Sequence, residues 1–363
     1  MNADFLARAE TRFLDAATDP DLWRSAMDDI VQETGSLGAS LLTVEGRGPF
    51  ILATDGVAEL ADQYVRDGWY QRDYRYAAVP RLRKHGFFVD QQITTTHDMA
   101  RNPYYADYLV KKGAGWGIGL RIDTGDDMWC LMIQRGMGTG AYQEDEQERL
   151  KPLVGIVNRA ASLSRRLEFA RLDGAAEASE MIGGACLFID RFGRIARMNA
   201  AAEAMVGRKF LIRQGRVAFA HCASEPLQRH IDAVIWPDLA AADKAFRPVV
   251  VPQISGRPLV FQAIRMRGNT RILFAPAYAM LLVTDLNEKA GPLPEHLQAV
   301  FQLTAAEARL ADALLQQFSL VEAADHLNLK HETARTHLKS IFAKTETRTQ
   351  AQLIHVLGRA RRS

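Results

Sequence analysis

Arg335, Thr336 and Lys339 are the residues whose types and spacing speak most directly of chemistry. Arg335 and Lys339 stand four apart, so on a helix they share one face with Thr336 beside them. A guanidinium, a hydroxyl and an ammonium presented together can donate to base edges in the DNA major groove, which is about 12 Å wide and admits one helix. Thr333, Lys344 and Lys330 flank this set and could meet phosphates. From residue 330 onward Lys330, Arg335, Lys339, Lys344, Arg348, Arg359, Arg361 and Arg362 are opposed only by Glu332 and Glu346. The whole chain carries a net charge of only +2. Positive charge is therefore concentrated at one end, as in a nucleic-acid-facing surface. A solvated basic helix has the same composition, so spacing must separate the two.

A second set could bind a small molecule. Trp69, Tyr70, Tyr74, Tyr76, Phe87, Phe88, Tyr104, Tyr105, Tyr108, Trp116 and Trp129 crowd one region. Some must fill a core. Others could line an apolar pocket with a few polar groups. Trp69, Tyr70, Asp73, Phe87, Trp116 and Trp129 are the candidates, with Asp73 the polar one. Gly113-x-Gly115-x-Gly117-x-Gly119 resembles a phosphate loop but leads into a strand pattern, whereas a dinucleotide fingerprint must open a helix. Asp126-Asp127 reads as a solvated hairpin tip. His221, Cys222 and His230 are too few for a metal site, so they read as structural residues and the cofactor stays unknown. No nucleophile–base arrangement is visible, and the expectation is a protein that is not an enzyme. Cys130, Cys186 and Cys222, odd in number and widely spaced, read as buried free thiols of a reducing cytoplasm.

Helices must position the basic set. Thr304 with Glu307, Ser319 with Glu322 and Thr349 with Gln352 are three capping boxes, Ser or Thr followed three residues later by Glu or Gln. They open helices over 305–316, 320–327 and beyond 349. Asn328 suits the left-handed residue that ends the second helix. A third helix spans 331–345 with Ala334, Leu338, Ile341 and Phe342 inward. His337 reads as a packing or hydrogen-bonding histidine.

Leu303-Thr304-x-x-Glu307, Ser319-x-x-Glu322-Ala323-Ala324-x-x-Leu327, Thr333-Ala334-x-x-His337, Ile341-x-x-Lys344 and Arg348-Thr349 together resemble the LuxR-type DNA-binding domain. The resemblance covers roughly the last sixty residues. It implies a tetrahelical helix-turn-helix whose third helix reads bases through Arg335, Thr336 and Lys339, with Lys344, Thr333 and Lys330 near phosphates. Gln317 and Glu346 stand where that family has glycine, and Lys330 where it has a capping serine. Loss of a left-handed glycine costs about 1 kcal/mol.

Ahead of this unit the pattern is α+β. Helices are expected over 4–17 and 22–34, strands at 38–44, 50–54, 118–122 and 129–134, and a helix from Gln143. Tyr70-x-x-Asp73, Phe87-Phe88-x-Asp90 and Gly117 before a strand resemble the autoinducer-binding domain that accompanies LuxR-type units. The resemblance implies that Asp73 accepts a hydrogen bond from a ligand amide. Tyr74 and Val89 replace that family's Pro and Trp. Leu153, Ile156, Ala160, Leu163, Leu167 and Ala170 alternate three- and four-residue spacing, the seam of a coiled coil or one edge of a domain core. A strand at 185–190, a turn at Arg191-Phe192-Gly193, a strand at 194–198 and Asn199 capping an Ala-rich helix resemble the opening of a PAS domain, with later strands at 248–252, 259–266 and 279–285.

The expected fold is α+β: two sensor-like α/β-sandwich domains of GAF or PAS kind, then an all-α tetrahelical helix-turn-helix domain. The boundaries read as 1–150, a joining and possible dimer-forming helix at 151–177, 178–290, and 291–363 after the stiff Gly291-Pro292-Leu293-Pro294 linker. A length of 363 residues fits several cores. No apolar run reaches the roughly 20 residues that span a bilayer. The first seventeen residues read as an amphipathic helix and not a signal peptide. The expected partners are double-stranded DNA, a small-molecule effector and a second copy of the chain, with no membrane. A sensor whose helical bundle docks a protein is the alternative.

Overall fold

Side-chain alternation along one strand organises the first half of the chain. In Met128–Gln134 (β5), Trp129, Leu131 and Ile133 point to one face, while Cys130, Met132 and Gln134 point to the other. All are buried, so this sheet is covered on both sides. β5 lies in an antiparallel sheet with Gly38–Thr43 (β1), Ile51–Ala53 (β2), Phe87–Val89 (β3) and Gly117–Asp123 (β4), in the order β2-β1-β5-β4-β3. This computed structural model describes residues 3–45, 49–125, 127–181, 184–236, 247–266, 273–287, 294–316 and 318–360. Asp126, Gly291-Pro292-Leu293, Gln317, Arg361 and Arg362 lie outside them, and so does the side chain of Arg359.

Three helices cover the Trp129 face, and one of them, Leu22–Thr34, contributes Trp23, Ala26, Met27 and Ile30. Ala3–Thr18 buries Phe5, Ala9, Phe13 and Ala16 at helical spacing. Pro152–Met181 buries Leu153, Ile156, Val157, Ala160 and Ala161 in the same core. The three-four repeat expected to pair two subunits is therefore half consumed by the chain's own core. Of that repeat, Leu153, Ile156 and Ala160 are internal, while Leu167 and Ala170 are exposed. Further along, Leu172 and Ala176 enter the core of a second sheet, so this helix joins the two.

The second sheet comprises Ala185–Ile189 (β6), Ile195–Met198 (β7), Val249–Val251 (β10), Leu259–Arg265 (β11) and Ala279–Asp285 (β12), with a separate hairpin of Leu211–Arg213 (β8) and Arg216–Ala218 (β9). Its order, β7-β6-β12-β11-β10, repeats that of the first sheet: second, first, fifth, fourth, third. Asn199 caps the following helix as expected, accepting from the Ala202 N–H at 3.0 Å. The Glu225–Ile235 helix was not expected, and its His230 is buried and accepts the Ala263 N–H at 3.0 Å. Burial lowers the His230 pKa. Cys130 and Cys186 are buried free thiols, whereas Cys222 is half-buried.

Phe274 ties the second segment to the first sheet. Its ring lies 5.0 Å from Trp23 and 4.9 Å from Trp129, inside the core that the three helices close. Its backbone sits at φ 60, a left-handed conformation that is rare for a bulky residue. Nearby, buried Arg191 forks onto Asp127, with Nε at 2.6 Å, and donates to the Glu45 carbonyl.

The chain divides into two compact units, Met1–Val249 with Phe261–Val283, and Val250–Val260 with Thr284–Ser363. The second contains five helices among its described residues: Pro294–Phe301, Ala305–Leu315, Leu320–His326, His331–Lys344 and Gln350–Ala360. The first of these was not expected: its opening residue, Pro294, was read as the end of the linker, yet the helix buries Leu297 fully. Two capping boxes close as expected. Thr304 N–H donates to Glu307 at 2.7 Å, and Ser319 N–H donates to Glu322 at 2.8 Å. The third is displaced by one residue: Gln352 N–H donates to the Thr349 hydroxyl, but the Gln352 side chain accepts from Arg348 N–H at 3.0 Å. Asn328 has φ 52 and Glu346 φ 53, so both occupy left-handed positions.

Phe274→Ala should cost about 3–5 kcal/mol, the usual loss for a buried phenylalanine truncation. Urea unfolding followed by tryptophan fluorescence checks this, because Trp23 and Trp129 both touch the ring. A loss below about 1 kcal/mol would show that the core closes without it.

Candidate functional site

On the Cys130 face of the first sheet lies a cavity of about 80 Å³. Strand alternation supplies its roof: Ser40 and Leu42 from β1, Cys130, Met132 and Gln134 from β5, and Phe88 from β3. Val57, Leu60, Ala61 and Tyr64 come from the segment after β2, and Tyr108 and Leu109 from the π-helical turn Tyr104–Leu109. Asp73, Arg75 and Tyr76 complete the polar side, with Tyr76 40% exposed. Burial pushes the Cys130 thiol up to about 12, so it is no nucleophile at neutral pH.

Arg75 is the fixed point of this site. Its Nε donates to Asp90 Oδ1 at 2.9 Å and its Nη2 to Asp90 Oδ2 at 2.6 Å. Nη1 donates to Gln134 Oε1 at 2.9 Å, and Nη2 also reaches the Gly115 carbonyl at 3.3 Å. Asp90 is fully buried and accepts the Tyr105 hydroxyl at 3.1 Å. Burial opposes the Arg75 charge, yet Asp90 together with Tyr104 and Tyr105 outweighs it and holds the guanidinium pKa up. Gly117 is required for this approach. A Cβ there would lie 2.9 Å from Arg75 Nη2 and 3.2 Å from Asp90 Oδ2.

Asp73, two residues earlier, faces the cavity. One oxygen accepts the Arg75 backbone N–H at 2.8 Å and the other the Tyr64 hydroxyl at 2.6 Å. Asp73 is half-buried, and burial raises its pKa above the usual carboxylate range, an effect that Arg75, Tyr64 and a hydrogen bond from Tyr104 offset only in part. The Tyr64, Tyr104 and Tyr108 phenols are pushed upward by burial and stay neutral.

Of the six expected ligand residues, only Asp73 lines the cavity. Trp129 points to the opposite face because β5 alternates, and Phe87 packs on that same helix-covered side while Phe88 takes the cavity side. Trp69 stacks on Tyr108 at 5.1 Å, and Tyr70 lies 6.3 Å from Tyr64, so both stand behind the wall. Trp116 is buried in the tyrosine cluster there. Arg75, Asp90, Gln134 and Tyr64 were missed. The available signal was a lone Arg between tyrosines and a lone Asp closing Phe87-Phe88-Val89.

In the C-terminal unit, Ala334 and Ile341 bury one side of the His331–Lys344 helix, with Leu338 and Phe342 partly buried. Thr333, Arg335, Thr336 and Lys339 are exposed, as is Lys330 at the N-cap, whose side chain caps nothing. Arg335 has only a distant acidic neighbour, Glu332 at 3.8 Å. His337 is half-buried. Lys344 departs from its expected role. Its ammonium is 2.7 Å from buried Glu307, the acid of the first capping box. Burial alone would raise the Glu307 pKa, but hydrogen bonds from Lys344, Ser340 and Thr304 bring it down to about 2.

No family model and no curated protein sequence matches the chain. Solved structures similar in part include the VqsR ligand-binding domain from Pseudomonas aeruginosa, at 17% identity and TM-score 0.37, over 43% of this chain and 96% of that one. The phage VqmA–DPO complex is similar at 15% identity and TM-score 0.20, over 52% and 92%. No helix among the described residues is long and apolar enough to cross a membrane.

Removing one partner of a buried ion pair strands the other charge, so Asp90→Ala should destabilise the fold by about 3–5 kcal/mol in chemical denaturation. Near-wild-type stability would show that Arg75 finds other partners. A second expectation concerns acid. Glu307 has a folded pKa of about 2 against an ordinary 4.5, so its contribution is full above 4.5 and lost as pH falls through about 2. Lys344→Met should move that loss to higher pH. A pH-stability curve superimposable on the wild type would remove Lys344 from this role.

Proposed function

We propose that the chain is a DNA-binding transcription regulator of LuxR type in which a small-molecule effector occupies the Asp73 cavity. The observation that carries it is the exposed triad Arg335, Thr336 and Lys339 on a 14-residue helix whose other side is buried. In this reading the Leu320–His326 and His331–Lys344 helices are the helix-turn-helix. The second of them enters the major groove, and its triad meets base edges. Thr333 and Lys330 meet phosphates. Lys344, paired with Glu307, fixes the helix and makes a weaker phosphate contact than its charge suggests.

The segments 1–150 and 178–290 are the sensor modules of GAF or PAS kind, joined by the helix that begins at residue 152. Two five-stranded sheets of the same strand order support that assignment. The regulator acts as a homodimer on a pseudo-palindromic site, with half-sites about 34 Å apart. Effector occupancy controls dimerisation or presentation of the helix. No catalytic step is involved.

Arg335→Ala and Lys339→Ala should each weaken binding to the selected DNA site by about 1–3 kcal/mol. Lys330→Ala should weaken all sequences alike and reduce the salt slope by about one. Gel shifts on a site obtained by selection from random duplexes, repeated across salt concentrations, measure both. Unchanged affinity in the Arg335 and Lys339 variants would defeat the base-reading assignment.

A further inference from the structure

Taking the Asp73 cavity as the effector site, we propose that its ligand is a small organic cation, a primary amine or amidine, whose charged group pairs with the Asp73 carboxylate. The charges around the cavity do not balance. Asp73 and Arg75 are the only charged side chains in its lining, and Asp90 stands directly behind Arg75. Arg75 neutralises Asp90 through two hydrogen bonds. Two more of its N–H groups go to Gln134 and Gly115. Four of the five guanidinium donors are therefore committed, and no clamp remains for a carboxylate or phosphate. One negative charge, that of Asp73, is left over.

Asp73 receives neutral donors from Arg75 N–H, Tyr64 and Tyr104. Among the described residues no cation forms an ion pair with it. A carboxylate offers about four acceptor sites, so roughly one remains open. The remaining lining is largely apolar, and its phenols and thiol are neutral. Asp73 is half-buried and Arg75 offsets only part of the cost of its charge, so a net cost of keeping it ionised remains. A cationic ligand removes that cost and gains a charge-assisted hydrogen bond. An anion would place a second negative charge beside the first. A neutral donor would fill the open acceptor site and leave the charge as it was.

Volume limits the ligand as well. About 80 Å³ is roughly half of a cavity of about 150 Å³ that holds benzene. The ligand is therefore a molecule of a few heavy atoms. Its alkyl part would lie against Leu42, Val57, Leu60, Ala61 and Met132.

The test uses the full chain and three probes of matched shape: n-propylamine, n-propanol and propionate. Isothermal titration, supported by thermal shift, should show the amine binding at least tenfold more tightly than the alcohol, with propionate not binding. Asp73→Asn, which keeps the shape, should erase the preference for the amine. Ala61→Phe, which fills the cavity, should abolish binding of every probe. If Asp73→Asn fails to fold, the amine-to-alcohol ratio in the wild type and its loss in Ala61→Phe decide the matter. Alcohol or propionate binding as well as the amine, and lost in Ala61→Phe, would overturn the cationic ligand while leaving the cavity an effector site. Amine binding that survives Ala61→Phe would overturn the proposal by placing the amine elsewhere. Failure of all three probes to bind would overturn both.

Discussion

The buried Arg75–Asp90 pair is the constraint on which the first sheet's cavity depends. Two charges removed from water are tolerated only when each is matched and its remaining hydrogen-bonding capacity is met. Here that condition gathers four distant segments at one point. Arg75 follows the Asp73 turn, Asp90 follows β3, Gly115 precedes β4, and Gln134 closes β5. Movement of Arg75 or Asp90 would leave a charge unmatched, and movement of Gly115 or Gln134 a buried donor unpaired. Asp73 inherits this rigidity through the Arg75 backbone N–H. The Asp73 carboxylate is thus held in place by a pair whose hydrogen bonds are made within the fold. Gly117 is part of the same constraint, since any side chain there would collide with the guanidinium.

Much of the fold was legible in the sequence because the signals were local. Capping boxes at Thr304 and Ser319, and the Asn328 and Asn199 positions, specify hydrogen bonds within three or four residues. Most strands were also readable from apolar runs. Strand facing was harder. Trp129 and Cys130 are adjacent, and a one-residue parity decides which of them meets the cavity. The same holds for Phe87 and Phe88. Choosing the larger aromatic at each place selected the helix-covered side. The Arg75–Asp90 contact spans fifteen residues and a sheet register that no local pattern announces. Likewise, three- and four-residue spacing from Leu153 serves a subunit seam and an internal core equally well, and here the core takes its first half. Pro294 suggested an extended linker, although proline is also at home in a helix's first turn.

The C-terminal unit shows how local charge divides between architecture and surface. Lys344 belongs to the scaffold, because its ammonium balances a buried capping glutamate. Lys344 is itself exposed, but its charge is taken by Glu307, so the exposed basic residues on and beside that helix that no buried acid holds are Lys330, Arg335, Lys339 and Arg348. Glu346 holds a left-handed position without the freedom of glycine, so the turn after the helix carries strain of about 1 kcal/mol. A net charge taken from sequence alone overstates the footprint of such a surface, since part of it is neutralised inside.

Phe274 bears on how this protein can be dissected. The aromatic that completes the space between Trp23 and Trp129 is encoded more than a hundred residues after the first sheet ends. On the ribosome, the opening segment must therefore wait with an unfinished interior until late in synthesis. A recombinant fragment cut anywhere before that phenylalanine inherits the same gap permanently. The natural-looking boundary after β5 thus separates a module from a piece of its own centre, and fragments for ligand screening are better ended beyond β12.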